Sequence, residues 1–165
     1  EGRINALARV HTILSLSSWQ GAKIGKLVDE ELAPYAMGDQ ITLSGSEVQL
    51  QPATAQTLAL ALHELVTNSA KYGALSTLSG RLALNWAVDD ELLTLAWHES
   101  GGPRVQKPTS RGFGTRSVIA SIESQLGGRA EFNWRPEGLI CRLSVPLSSH
   151  LADAEQDPHP SAALG

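Results

Sequence analysis

The 165-residue chain predicts an α+β fold of two layers, in which helices cover one face of a mixed, mostly antiparallel sheet. Three observations predict it. Residues Pro52–Tyr72 carry apolar side chains at helical spacing over a long uninterrupted stretch. Stretches of alternating apolar and polar residues follow in pairs joined by short turns, which is the pattern of hairpins. Further helical stretches interrupt the strands, so helices must layer on the sheet.

Taken in order, residues 1–17 form an amphipathic helix. Ile4, Leu7, Ala8, Val10, Ile13 and Leu14 make a wide apolar stripe that must pack on something. Trp19 to Ala22 break it. A second helix over Lys23–Tyr35 has Ile24, Leu27, Val28 and Leu32 in register, with Pro34 near its end. Ile41–Ser44 and Glu47–Leu50 read as a short hairpin around Gly45-Ser46. In the main helix Pro52 takes the first turn, Leu58, Leu62, Leu65 and Val66 form the apolar face, and Gly73 ends it. Ala74–Gly80 is a small-residue loop. Arg81–Val88 and Leu92–Trp97 are antiparallel strands turning at Asp89-Asp90. Residues 100–112, rich in glycine, proline and basic residues, form a loop. Phe113–Leu126 is a helix stopped by Gly127-Gly128, and strands at Ala130–Trp134 and Leu139–Val145 complete the sheet. Residues 148–165 are expected to be disordered.

Composition narrows the function classes. A hydrophobic fraction of 42% supports one cored domain. A net charge of −4 argues against a general nucleic-acid surface. The single cysteine, Cys141, excludes an internal disulfide and a multi-cysteine zinc site, and reads as a small core residue. With no membrane-length apolar run and no signal peptide, the expectation is a soluble, cytoplasmic protein without direct membrane insertion. The chain begins in mid-helix without Met and reads as a piece of a longer protein.

Two stretches carry chemistry. On the main helix, Glu64, Asn68 and Lys71 are spaced by four and then three residues and share one face. Such a face suits a metal-phosphate site: the carboxylate takes a proton or holds a water, the amide oxygen ligates Mg²⁺, and the ammonium meets a phosphate. The other reading of the same face is a solvated polar surface. Farther on, Gly112-Phe113-Gly114-Thr115-Arg116 opens a helix. Free N–H groups and the helix dipole make that start an anion site, or else an ordinary cap with Arg116 in solvent.

These stretches, with Trp97, Glu99, Gly101 and Gly102 after a strand, resemble the ATP-binding domain of bacterial sensor histidine kinases in the GHKL (Bergerat) group. The likeness is strongest to the HWE subgroup, named for a His in its first box and W-x-E in its second, here His63 and Trp97-His98-Glu99. It runs over about residues 3–147. It implies that Glu64 is catalytic, acting near the attacking group as base or water positioner, and that Asn68 ligates Mg²⁺ with Glu64 joining through water. It carries Lys71 to phosphate contact and packs Tyr72 against nucleotide or lid. His63 either stands at the ATP site or caps a neighbour within the helix. Glu99 would accept the adenine amine, with Gly101 and Gly102 letting the backbone approach the base, while the Trp97 ring packs in the core. Gly112, Phe113, Gly114, Thr115 and Arg116 would hold the phosphates. The D-x-G-x-G adenine box of most histidine kinases is missing and Glu99-Ser100-Gly101-Gly102-Pro103 stands instead; a Walker P-loop is absent. Residues 103–111 would form the lid, with Arg104, Lys107 and Arg111 left unassigned.

The resemblance also divides the chain: 1–18 as the end of a dimerisation and phosphotransfer hairpin, 19–148 as the catalytic domain, 149–165 as a tail. It implies transfer of the ATP γ-phosphoryl to a histidine outside this chain. From there the phosphoryl passes to an aspartate on a response regulator receiver domain. Implied partners are upstream dimerisation and phosphoacceptor helices and a sensor domain, with a homodimer at full length. The H-R-x-x-N acceptor box is absent, and His11 is followed by Thr-Ile-Leu. Two rival readings are a non-catalytic GHKL nucleotide-binding regulator and a serine kinase of the anti-sigma type.

Overall fold

A computed structural model describes Ile4, Ala8, residues 21–108 and residues 112–147. The helix expected over 1–17 and the tail from 148 therefore lie outside the described residues, apart from helical Ile4 and Ala8. The elements are β1 (Ala22–Lys23), α1 (Ile24–Leu32), β2 (Ile41–Gly45), β3 (Gln49–Leu50), α2 (Pro52–Tyr72), β4 (Arg81–Asp89), β5 (Leu92–Ser100), α3 (Phe113–Ile119), β6 (Arg129–Arg135) and β7 (Gly138–Pro146). Short 3₁₀ turns at Ala33–Tyr35, Gly38–Gln40 and Ala74–Ser76 link them. A π-turn at Ala120–Gln125 continues α3, and Gly127 leaves it at φ +65°, the left-handed stop that glycine tolerates.

The main sheet has strand order β2-β4-β5-β7-β6, with β2 parallel to β4 and every other pair antiparallel. Alternation along β5 sends Leu93, Leu95, Trp97 and Glu99 inward, while His98 is exposed. Exposed Asn85, Arg142, Glu131 and Asn133 mark the same outer face. The helices cover the inner face, where Leu58, Leu62 and Val66 of α2 join Leu27 and Val28 of α1 and the strand residues Leu84, Leu95 and Val145 in one core. The fold is thus the two-layer α+β sandwich that the sequence predicts. Among the described residues, no helix is long and apolar enough to cross a membrane.

Two local expectations are corrected. Ile41–Ser44 and Glu47–Leu50 do not pair with each other. β2 lies parallel to β4, and β3 pairs with β1 through Ala22↔Leu50 and Lys23↔Gln49. Gly45 is no hairpin turn: it sits opposite Trp86, whose ring would lie 2.2 Å from any Cβ there, and the Trp86 indole donates to the Ser46 carbonyl at 2.8 Å. Burying Ile41 and Leu43 beside β4, with α2 as the crossover that a parallel pair requires, outweighs the local turn. The β4–β5 turn falls one residue later than expected, on Asp90 and Glu91 at φ 45° and 60°, because Asp89 pairs with Leu92. Two positive φ angles match the right-handed twist of the flanking strands.

Candidate functional site

Helix α2 presents Leu65, Asn68, Ser69 and Tyr72 at helical spacing to a cavity of about 540 Å³, a size typical of small-molecule sites. Glu99 from the end of β5 closes one side, and Gly112, Gly114 and Thr115 at the start of α3 close another. Arg104, Val105, Gln106 and Pro108 of the β5–α3 loop lie along the rim, tethered where the Val105 amide donates to the Pro136 carbonyl at 3.2 Å. Phe132 and Trp134 of β6 form the apolar wall, stacked with centroids 5.9 Å apart and planes at 13°. A smaller cavity of about 210 Å³ adjoins it and is also lined by Lys107 and Ile119.

The polar end lies between α2 and α3. A Cβ on Gly114 would come within 3.0 Å of both Glu64 Oε2 and Asn68 Nδ2, so glycine there lets α3 approach the two side chains closely. Gly112 caps α3 with no side-chain bond to the first turn, and Gly112, Gly114 and Thr115 line the cavity there. Among the described residues no group of three His, Cys, Asp or Glu side chains could hold a metal ion. One carboxylate and one amide oxygen, however, suit Mg²⁺, which keeps several waters and takes the rest of its ligands from substrate phosphates.

At the other end, Glu99 is 4% exposed and accepts two hydrogen bonds. The Trp97 indole Nε1 donates to Oε1 at 2.8 Å, and the Ala74 amide donates to Oε2 at 2.8 Å. The segment after α2 is folded to offer that amide: Gly73 N–H donates to the Ser69 carbonyl at 2.9 Å, and Leu75 N–H donates to Ser69 Oγ at 3.2 Å. Cys141, opposite Trp97 across the β5–β7 ladder, is fully buried; burial, helped by the Glu99 charge, pushes its thiol up to about 12.

The structure thus gathers Asn68, Tyr72, Glu99, Gly112, Gly114 and Thr115 around one cavity, with Glu64 beside Gly114. Other candidates fall elsewhere. His63 does not line the cavity: it is buried, with Nδ1 3.0 Å from Glu31 Oε2 on α1, and so tethers two helices. Lys71 is exposed at the last turn of α2, and Arg116 is exposed on α3; neither lines the cavity. Gly101 and Gly102 serve backbone packing: a Cβ on Gly102 would meet Ala74 Cα at 2.8 Å, and Gly101, at φ +68°, crowds the Ser79 carbonyl. The Phe113 side chain and Arg111 lie outside the described residues.

Sequence reasoning missed the Ala74 amide, Glu31, and the Phe132–Trp134 wall. The last was available as two aromatics at strand spacing. Nothing local in the sequence sets Glu31 apart from its neighbours Asp29 and Glu30.

The fold is that of the catalytic domains of histidine kinases. The histidine kinase domain of a blue-light activated histidine kinase from Erythrobacter litoralis superposes with a TM-score of 0.72 at 19% identity, over 89% of this chain and 78% of that one, a likeness of fold. The HWE histidine kinase family model matches residues 1–47. A blue-light-activated histidine kinase of Brucella anthropi is 32% identical over 94% of this chain and 34% of its own length. One from Rhizobium johnstonii is 36% identical over 87% of this chain and 42% of its own. The chain is thus similar to the HWE histidine kinases, and it spans between a third and a half of those relatives' length.

Proposed function

We propose that this chain binds Mg-ATP in the α2–β5–α3 cavity and transfers the γ-phosphoryl to a histidine that lies outside it. The convergence of Glu99, Asn68 and the glycine-flanked start of α3 on one cavity carries this reading. Glu99 accepts the adenine amine, and the β6 aromatics give the base an apolar wall. Thr115 and the α3 amides meet the phosphates, with Tyr72 at the mouth. Asn68, with Glu64 through water, would hold Mg²⁺, which would supply neutralisation of the phosphate charge when bound. Glu64 orients the attacking imidazole and accepts its proton. Catalysis of this kind is mostly positioning and charge neutralisation.

The phosphoryl then passes to an aspartate of a response regulator receiver domain, within a longer dimeric protein working in the cytoplasm. Residues 1–18 end its dimerisation and phosphotransfer hairpin, and 19–148 form the catalytic domain. The family match over residues 1–47 favours this arrangement over an anti-sigma-type serine kinase.

Calorimetry with ATP, with and without Mg²⁺, tests the reading on wild type and Asn68→Ala. Binding that Mg²⁺ strengthens in wild type but leaves unchanged in Asn68→Ala is the expected result. An undiminished Mg²⁺ effect in the variant refutes the metal assignment, and no binding to wild type refutes the function.

A further inference from the structure

The Glu99 carboxylate is held by two groups that do not line the cavity, the Trp97 indole and the Ala74 amide, while Gly73 between α2 and Ala74 does line it. Trp97 is 1% exposed and is absent from the cavity lining, yet its indole N–H donates to Glu99 Oε1 at 2.8 Å. The two residues are i and i+2 on β5, so the strand itself points both inward. The opposite oxygen, Oε2, accepts the Ala74 amide at 2.8 Å. Gly73 makes that second bond possible. It ends α2 in extended backbone, at φ −108° and ψ −152°, which any residue adopts. What excludes a side chain is space: a Cβ would lie 2.1 Å from Glu99 Oε2 and 3.0 Å from Ser69 Cα.

A buried carboxylate with one N–H on each oxygen is fixed in orientation and retains acceptor capacity on both atoms. Because Glu99 also lines the cavity, that remaining capacity is what a ligand meets. A base edge with an exocyclic amine supplies the donor it needs. A base edge with a carbonyl oxygen at the same position meets oxygen against oxygen.

Resting on the ATP reading above, we propose that Trp97 and Gly73 are positioning residues that set the base selectivity of this site. Trp97 aims the Glu99 carboxylate through its indole N–H, and Gly73 leaves room for the Ala74 amide to hold the other oxygen. The Trp97 ring therefore does more than pack the core.

Calorimetric titration of the 165-residue chain with ATP and with GTP tests this, with folding of each variant checked by circular dichroism. Trp97→Phe keeps an aromatic ring and removes the donor together with part of the indole's buried volume. A carboxylate no longer aimed forfeits its own bond to the exocyclic amine, so ATP should weaken roughly tenfold or more and GTP stay unchanged, and the ATP preference shrinks. Gly73→Ala pushes Oε2 away with Trp97 intact, and should shrink the preference in the same way; it decides the matter if Trp97→Phe does not fold. A folded variant that keeps the wild-type ATP to GTP ratio overturns the proposal and leaves the ATP reading standing. Wild type that binds neither nucleotide overturns both.

Discussion

Replacing Glu99 by Gln alters two atoms and leaves the side chain's shape nearly intact, so its consequences can be worked from geometry. Both wild-type carboxylate oxygens accept N–H groups, from Trp97 and from Ala74. A glutamine offers one oxygen and one amide NH₂. Whichever way it turns, the NH₂ faces a donor, and one buried N–H loses its acceptor. An unsatisfied buried donor costs about 1–3 kcal/mol, and the surviving bond loses its charge assistance, for a total of roughly 2–3 kcal/mol. Removing a buried charge returns some desolvation energy. Glu99 opens onto the cavity, however, so that return is partial. For a domain of this size each kcal/mol moves Tm by about 2–4 °C, so Glu99→Gln should melt about 5–10 °C lower without nucleotide. Differential scanning calorimetry at neutral pH measures this directly. A Tm within a degree of wild type would refute the donor arrangement, and a higher Tm would mean that charge burial outweighs both hydrogen bonds.

Two further outcomes follow from the same geometry. His63→Ala removes a partner of the buried Glu31 carboxylate and should cost up to about 3 kcal/mol of stability, yet leave the ATP affinity of the folded protein unchanged, since His63 faces away from the cavity; urea denaturation beside calorimetry separates the two effects. Cys141 ionises near 9.0 when unfolded and only at about 12 when folded. The unfolded chain therefore loses its proton first, and stability should fall by up to about 1.4 kcal/mol per pH unit as the pH rises above 9. Cys141→Ala should flatten that slope relative to wild type in denaturation curves taken from pH 8 to 11, and equal slopes would place the thiol in a less buried setting.

The extent of what the sequence disclosed follows the range of the forces involved. Local patterns survive in the chain itself. Helical periodicity marks α2 to its first and last residue, because Pro52 and Gly73 bound an uninterrupted apolar stripe. Strand alternation marks β4, β5, β6 and β7 to within a few residues. Box residues at helical or strand spacing, such as Asn68 with Tyr72 or Trp97 with Glu99, share a face by geometry alone, so the outline of a nucleotide cavity was legible.

What the chain could not declare was which distant segment each element meets. Gly45-Ser46 has the composition of a turn, and only the arrival of Trp86 from β4 makes it a strand end. His63 is adjacent to Glu64 in sequence, but the helix turns it about 100° round the axis toward Glu31 on α1. Gly73 reads as a helix stop, and Gly101 and Gly102 as glycines that let the backbone approach a base, whereas the structure sets them against Glu99, Ser79 and Ala74. The reason is common to all of these. Periodicity and turn chemistry are properties of neighbours along the chain, while hydrogen-bond partners and steric limits belong to whatever the collapsed core brings alongside.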